Sequence, residues 1–507
     1  MATNAPEPLV PPTRVPLYRT IADSIIRDIR KGKHLEGERL PASRDLARAL
    51  DVNRATVHQA LQVLKREGWI ETNKGGGTRV ARRSGAGPVL GPSPAWDRIA
   101  SALLLRVVSE PPAAEPAGAV YDLSRLAPDE RDFPAAAFAS LLAEVARDGA
   151  LLAYGSPFGY RPLRETLAER LSRRGIPADP DALLIVNGAQ QGLDLITRAL
   201  VDPLDAVAVE SPSYAGALSL FRAHRARLLG VPLDGEGMEL AAFDRALAER
   251  PKFVYTIPDL QNPTGLLASA PRRAEIAHRA AAAGVLVVED AFEADLLVEG
   301  ELPPPLAALA PDHVVHLGTI SKALFPGVRV GWIAGPREFV HRLAALKRVG
   351  ELTSPPVLQA ALNLFLARGD YDRHLARTRA RLKNRLALAH RAIRNRFPIG
   401  SLVDRPAGGW VLWVRLPEGV SGRALAAAVR ERGVLVSAGA DFESDQFDVP
   451  AVRVSVARGT NADLEKALEI AGACARDLAR RAARQRKSRP RNAREASDAQ
   501  EAALIQI

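Results

Sequence analysis

Residues 319–332 read TISKALFPGVRVGW, so Lys322 follows the hydroxyl residues Thr319 and Ser321 and precedes Arg329. A lysine held rigidly and partly out of water keeps its neutral amine accessible and can condense with a carbonyl. Two hydroxyls and a guanidinium fork beside it suit a phosphate dianion. A Ser-Lys pair alone is ordinarily a piece of surface, and the weight here comes from other segments. In NGAQQGLDLITRAL (187–200), Gly188, Ala189 and Gln190 open a helix directly after the apolar run ALLIV. Backbone N–H groups and the helix dipole can meet the same phosphate there. ESPSY (210–214) offers Tyr214, an aromatic face able to stack on a flat ring. PDLQNPTG (258–265) offers Asn262, whose amide can donate to a phenolate oxygen. VLVVED (285–290) ends in Asp290, a carboxylate able to keep a pyridine-type nitrogen protonated and so strengthen the ring as an electron sink. Each segment alone also fits a plain turn, a core tyrosine or a loop asparagine. Together, in this order, they make a far stronger pattern than any one of them alone.

Such residues need a frame that collects chain segments at one edge. From 120 to 475, β-branched runs such as ALLIVNG, AVAVESP, KFVYTIP and GVLVVED alternate with longer amphipathic stretches. That rhythm predicts an α/β domain built on a mostly parallel sheet covered on both faces. The chain of 507 residues invites a search for at least two cores, and 47% hydrophobic with 25% charged residues are globular proportions. The net charge of +11 is uneven: 1–90 hold 16 Lys/Arg against 9 Asp/Glu, and 476–495 hold 9 against 2, leaving the rest slightly acidic. Basic ends around an acidic middle suggest a polyanion for the ends. Cys474 is the only cysteine, which excludes an intrachain disulfide framework and a cysteine-built zinc cluster, and no metal site is expected. No apolar run approaches the ~20 residues of a membrane helix. The opening MATNAPEPLVPP lacks the order of a signal peptide. A cytoplasmic protein without membrane contact is expected.

Proline and glycine punctuate the chain at SGAGPVLGPSP (84–94) and EPPAAEPAGA (110–119), so 82–119 reads as a linker with one helix, AWDRIASALLLRVV. Ahead of it lies a compact block, 14–81. Leu46, Ala47 and Leu50 form one apolar stripe and Val57, Leu61 and Leu64 another, predicting two short helices with Val52 in the turn. Asn53 is a good N-cap for the second helix, which offers Arg54, Thr56 and His58 on polar faces. WIET, NKGGG and TRVA then predict a two-stranded wing carrying Lys74 and Arg79. This is a helix-turn-helix arrangement, whose second helix reads base edges while flanking basic residues hold phosphates. The last 30 or so residues (476–507) lose apolar periodicity and are expected to form a basic, disordered tail; a solvated continuation of the last helix is the alternative for its first part.

The block 14–81 resembles the winged helix-turn-helix of the GntR regulators through Leu40, Pro41, Ser43, Arg44, Val52, Arg54, Thr56, Val57, Glu67, Gly68, Gly77 and Thr78. It departs from that pattern at Asn53, His58 and Arg79. The set in 120–475 resembles the fold type I, aspartate-aminotransferase-like family that binds pyridoxal 5′-phosphate. That resemblance implies a Schiff base on Lys322, with Asp290 on the pyridine nitrogen as the second catalytic residue. It further implies Asn262 on the phenolate, Tyr214 stacked on the ring, and Gly188, Ala189, Gln190, Thr319, Ser321 and Arg329 at the phosphate. Tyr154, in YGSPFGYRPLR, matches the position that reaches a phosphate across a dimer interface, and Arg453, in AVRVSVA, the arginine that grips a substrate carboxylate. One departure touches the chemistry: Phe292 stands where the family carries a tyrosine donating to the phenolate.

A winged helix joined to this fold is similar to the MocR subgroup of GntR regulators. The resemblance implies a homodimer on double-stranded operator DNA, contacted through Arg44, Asn53, Arg54, Thr56, His58, Lys74 and Arg79, that senses pyridoxal phosphate or an amine or amino-acid effector at Lys322. A working aminotransferase with an accessory DNA-binding module is the competing reading, since Lys322 and Asp290 are both present. A DNA-binding protein with a cofactor-free core is a third, disfavoured by the complete phosphate set.

Overall fold

The computed structural model describes residues 17–30, 33–35, 37–73, 77–81, 100–101, 103–104 and 121–488. Lys74 and most of the linker, including its expected helix, lie outside these residues. The chain divides into two compact units, Met1–Ile99 and Ala100–Ile507.

The smaller unit holds α1 (Leu17–Arg30), α2 (Ser43–Ala49), α3 (Arg54–Arg66) and a hairpin of β1 (Ile70–Asn73) and β2 (Gly77–Val80), paired antiparallel from Ile70↔Val80 to Asn73↔Gly77. α2, α3 and the wing follow the sequence pattern. The helix α1 was not among the expected elements, yet it supplies much of the core: Ile21, Ala22, Ile25 and Ile26 pack with Ala60, Val63 and Leu64 of α3 and with Ile70 and Val80 of the wing. One expected core position is corrected. Leu50 is 45% exposed, because it follows the end of α2 as its C-cap instead of continuing the stripe.

The larger unit is layered around an eight-stranded sheet. Its strands follow a two-residue strand β3 (Tyr121–Asp122) and comprise β4 (Leu183–Val186), β5 (Ala206–Ser211), β6 (Arg227–Asp234), β7 (Gly237–Met238), β8 (Phe253–Thr256), β9 (Leu286–Asp290), β10 (Val314–Thr319) and β11 (Gly331–Ala334). The spatial order is β4-β11-β10-β9-β8-β5-β6-β7. From β10 through β9, β8 and β5 to β6 all pairings are parallel, while β11 runs antiparallel to both β10 and β4. Alternate residues of the buried strands feed two separate cores. Leu183, Ile185, Ala208, Val254 and Val287 belong to one, and Leu184, Val186, Val209, Tyr255 and Val288 to the other. A sheet apolar on both faces is what these continuous runs demand.

A second, four-stranded sheet has the order β12-β13-β16-β15, from β12 (Leu402–Val403), β13 (Val411–Arg415), β15 (Ser437–Ala438) and β16 (Ala451–Ser455), while β14 (Val434–Leu435) pairs with β3. The final helix, Asn461–Ser488, corrects the expected tail boundary at 476. Leu478 and Ala479 still pack against the main core, and that contact carries the helix past the point where apolar periodicity fades.

Candidate functional site

The carboxyl ends of parallel strands form one edge, where the intervening loops can converge on a ligand. Gly188 follows β4, Tyr214 follows β5, Asn262 follows β8, Asp290 ends β9 and Thr319 ends β10. Because β11 runs the other way, Arg329, two residues before its start, arrives at the same edge. A cavity of about 310 Å³ there is lined by Gly188, Ala189, Gln190, Tyr214, Asn262, Asp290, Thr319, Ser321, Lys322, Arg329 and Arg453, with Leu126, Leu193 and Phe292. All the expected cofactor and effector residues of the larger unit meet there except Tyr154, which is 82% exposed and outside the cavity.

The polar geometry falls into three parts. Around Arg329, its Nη2 donates to the Asn187 carbonyl at 2.5 Å, and its own φ of 47° is left-handed. The Thr319 hydroxyl donates to the Val330 carbonyl at 3.0 Å and accepts from the Ser321 N–H at 3.2 Å. Gly188, at φ 81°, has no Cβ to fill the space against the Arg329 guanidinium. Amides at the start of the helix Ala189–Leu200 complete an anion cradle.

At the floor, Lys322 is half-buried and its Nζ donates to the Leu126 carbonyl at 2.7 Å. Burial pushes its pKa down, opposed by the charge of Glu293. Asp290 is buried, and burial pushes its carboxyl up to about 6 while the Tyr255 hydroxyl opposes the shift. Its Oδ1 has no hydrogen-bond partner among the described residues. Such a buried, orphaned carboxylate oxygen is costly unless a ligand meets it.

On the third side, the Arg453 guanidinium donates to Asn262 Oδ1 at 2.9 Å, to the Ser124 carbonyl at 2.5 Å and to Ser437 Oγ at 3.1 Å, and lies 4.8 Å from the Phe442 ring centroid. Burial lowers its pKa to about 10, so it stays cationic at neutral pH. Tyr214 donates to Gln190 Oε1 at 3.2 Å.

The residues therefore fit a phosphorylated pyridine aldehyde. They offer a cradle for a dianion, an amine for the carbonyl, an orphaned carboxylate for a ring nitrogen and a guanidinium for a carboxylate.

Three contributors escaped the sequence reading. The backbone at Ser124 and Leu126 forms a wall, but carbonyls carry no residue signature. Glu293 is 1% exposed, its Oε2 accepting from Trp410 N at 3.0 Å, and burial raises its pKa to about 7. The Trp410 indole in turn donates to the Lys322 carbonyl at 3.0 Å. Tyr255, the third, lies within the apolar run KFVYTIP, where nothing separates it from a core tyrosine.

In the smaller unit, Asn53 caps α3, its side chain accepting from the Ala55 N–H at 2.9 Å. Arg44, Asn53, Arg54, His58 and Arg79 are exposed and Thr56 is partly so. Arg79 is occupied in part, donating to the Gly37 carbonyl at 2.9 Å. Among the described residues, no helix is long and apolar enough to cross a membrane and no cluster of metal-ligating side chains occurs.

Residues 17–80 match the family of bacterial regulatory proteins, gntR family, and residues 124–470 match aminotransferase class I and II. An uncharacterized HTH-type transcriptional regulator of Bacillus subtilis, YdfD, is 30% identical over 475 residues, covering 92% of this chain and 98% of the relative. A 2-aminoadipate transaminase of Thermus thermophilus is 32% identical over 332 residues, 64% of this chain and 82% of the enzyme. The crystal structure of LysN, an alpha-aminoadipate aminotransferase from Thermus thermophilus complexed with N-(5′-phosphopyridoxyl)-L-leucine, superposes with a TM-score of 0.67. It is 29% identical and covers 75% of this chain and 96% of that one. A relative that shares both units along nearly its whole length is decisive, and the protein belongs to the MocR type of GntR-family helix-turn-helix regulators, whose aminotransferase-like domain takes pyridoxal 5′-phosphate.

Proposed function

We propose that the protein is a transcription regulator that binds operator DNA through its winged helix and responds, at the cavity around Lys322, to pyridoxal 5′-phosphate or to an amino acid that reaches it. The carrying observation is that Lys322, Asp290, Asn262, Arg329 and Arg453 line one cavity in a chain whose other unit is a winged helix. Bound there, pyridoxal 5′-phosphate supplies a carbonyl that condenses with amines and a ring that takes up electrons.

The chain's own residues do the rest. Arg329, Thr319, Ser321 and the amides after Gly188 hold the dianion, with Gln190 at the rim. Lys322 is the covalent anchor, because its lowered pKa keeps neutral amine accessible. Asp290 meets the ring nitrogen, Asn262 the phenolate and Tyr214 the ring face. Arg453 takes the carboxylate of the incoming amino acid, orienting its amine toward the floor. Tyr154, exposed here, reaches the phosphate of a second copy in a homodimer. On DNA, Arg54, Thr56 and His58 of α3 face base edges, while Arg44, Lys74 and Arg79 hold phosphates. An effector that distinguishes two states of the core shifts DNA affinity by its differential binding to them.

A working transaminase is the second reading, favoured by Lys322 and Asp290 lining one cavity. One experiment separates the two: titrate the full chain with amino acids, following the visible absorption of the bound cofactor and, in parallel, affinity for operator DNA. The expected result is an Arg453-dependent spectral change that alters DNA affinity, with slow turnover in the presence of a keto acid. Rapid turnover with DNA binding indifferent to cofactor and amine would establish the enzyme instead.

A further inference from the structure

The two oxygens of Asp290 sit in different circumstances. Oδ2 accepts a hydrogen bond from the Tyr255 hydroxyl at 2.8 Å. Oδ1 is buried without a partner among the described residues, and Asp290 lines the cavity whereas Tyr255 does not. Tyr255 lies on β8 beside β9, in register with Val288, so its ring comes from the neighbouring strand and does not line the cavity. It is fully buried, and its ring packs edge-on against Phe221 with centroids 5.6 Å apart. The hydroxyl is therefore fixed by the core. A carboxylate turns easily about its last torsion, and the Tyr255 hydroxyl, helped by the Phe292 N–H, holds Asp290 against that rotation.

We propose that Tyr255 is a positioning residue: its hydroxyl ties down Oδ2 of Asp290, so that Oδ1 alone is presented, as carboxylate, to the ring nitrogen of the cofactor. This rests on the reading of Asp290 as the partner of that nitrogen. The direction of the electrostatics agrees. Burial drives Asp290 toward its neutral form and the Tyr255 hydroxyl is the largest influence acting against it, ahead of His316 on β10, the Phe292 N–H and Lys322. With Phe292 apolar in the cavity wall, hydroxyl control of the ring is placed at its nitrogen end.

The test is Tyr255→Phe, which removes one oxygen and keeps the packed ring. Dissociation constants of the full chain are measured by equilibrium dialysis for pyridoxal 5′-phosphate and for an analogue with C–H in place of the ring nitrogen. A lost hydrogen bond to a buried carboxylate corresponds to about ten- to a hundredfold weaker binding of pyridoxal 5′-phosphate. The C–H analogue should change by less than about threefold on the same principle, since it has no nitrogen to pair. In addition, the ¹⁵N resonance of labelled cofactor should move toward the unprotonated ring nitrogen in the variant. Equal loss for both ligands, or an unmoved resonance in a variant that still binds, overturns the role of Tyr255. If the unmodified chain binds the two ligands equally well, the assignment of Asp290 itself fails, and the inference with it.

Discussion

Replacing Gly188 by alanine tests the anion cradle with one methyl group. Gly188 adopts φ 81° and ψ 164°, a region essentially confined to glycine, where a side chain costs about 1–3 kcal/mol. An ideal Cβ there would lie 3.0 Å from Nη2 of Arg329 and 3.2 Å from its Cζ and Nη1. The guanidinium is the flexible end of an exposed side chain, so it gives way, and in doing so it leaves the Asn187 carbonyl and the space beside the Ala189 amide. Loss of one charged hydrogen bond to phosphate costs about 1.5–3 kcal/mol, so pyridoxal 5′-phosphate should bind roughly ten- to a hundredfold more weakly. Pyridoxal, without phosphate, should bind wild type and variant alike. Fluorescence titration gives both affinities, and urea unfolding gives the backbone cost as a lowered midpoint at unchanged slope. Two results would refute the reasoning: undiminished binding of the phosphate ester in a variant with a lowered midpoint, or equal loss for pyridoxal.

Other outcomes follow from the same geometry. Lys322→Ala should abolish reductive labelling of the chain by pyridoxal 5′-phosphate, and labelling of another lysine would count against the anchor. Asn53→Ala should cost the smaller unit about 0.5–2 kcal/mol in urea unfolding by removing the α3 cap, whereas Arg54→Ala should leave unfolding unchanged and weaken operator binding by about 1–3 kcal/mol in a DNA titration. Asp259 pairs with buried Arg273 at 2.7 Å and with Arg174 at 3.0 Å; burial pushes its carboxyl up, but the two guanidinium groups outweigh that and hold it below the ordinary carboxylate range. Its stabilising contribution is complete above the unfolded value of about 4 and is lost as pH falls through the lower folded one. Asp259→Asn should cost about 3–5 kcal/mol at neutral pH, and its urea midpoint should fall less on acidification than that of wild type. Truncation after 475 should destabilise the larger unit, since it removes Leu478 and Ala479 from the core, while truncation after 488 should lower only non-specific DNA affinity; equal midpoints for the two would refute the helix boundary.

How much of this was legible depended on whether a residue's place follows from its strand. Gly188, Tyr214, Asn262, Asp290 and Thr319 could be located because an apolar run that ends in a polar or glycine residue marks the carboxyl edge of a parallel strand, and such edges converge. The Asn53 cap was legible by the same local logic. α1 offers only Ile21, Ile25 and Ile29 repeating every four residues, with no acidic residue in its first turn to mark its start. Arg453 is placed only by its resemblance to the arginine that grips a substrate carboxylate. It lies on β16, an inner strand paired with β13 and β15, and its side chain is buried and lines the cavity. Tyr255 and Glu293 were invisible for a different reason. In a strand buried on both faces, as β8 is, every residue is core, and Glu293 lies in the turn after β9; nothing in FVYT or AFEA separates a side chain that touches Asp290 or Trp410 from one that merely fills space.

The contact between Arg453 and Asn262 adds what neither residue shows alone. Asn262 accepts from Arg453 through Oδ1 and lines the cavity, so its amide nitrogen is the atom it has left to donate to a phenolate. With Phe292 in the wall in place of a second donor, that amide is the hydroxyl side's remaining partner among the proposed cofactor contacts. The group proposed to grip an effector's carboxylate and the group proposed to hold the ring oxygen therefore share a hydrogen bond of 2.9 Å. A carboxylate that draws the guanidinium toward itself would disturb that contact, although Nε of Arg453, buried without a hydrogen-bond partner among the described residues, offers it a donor of its own. On the proposed function, this contact would link occupancy of the effector site to the partner of the ring oxygen.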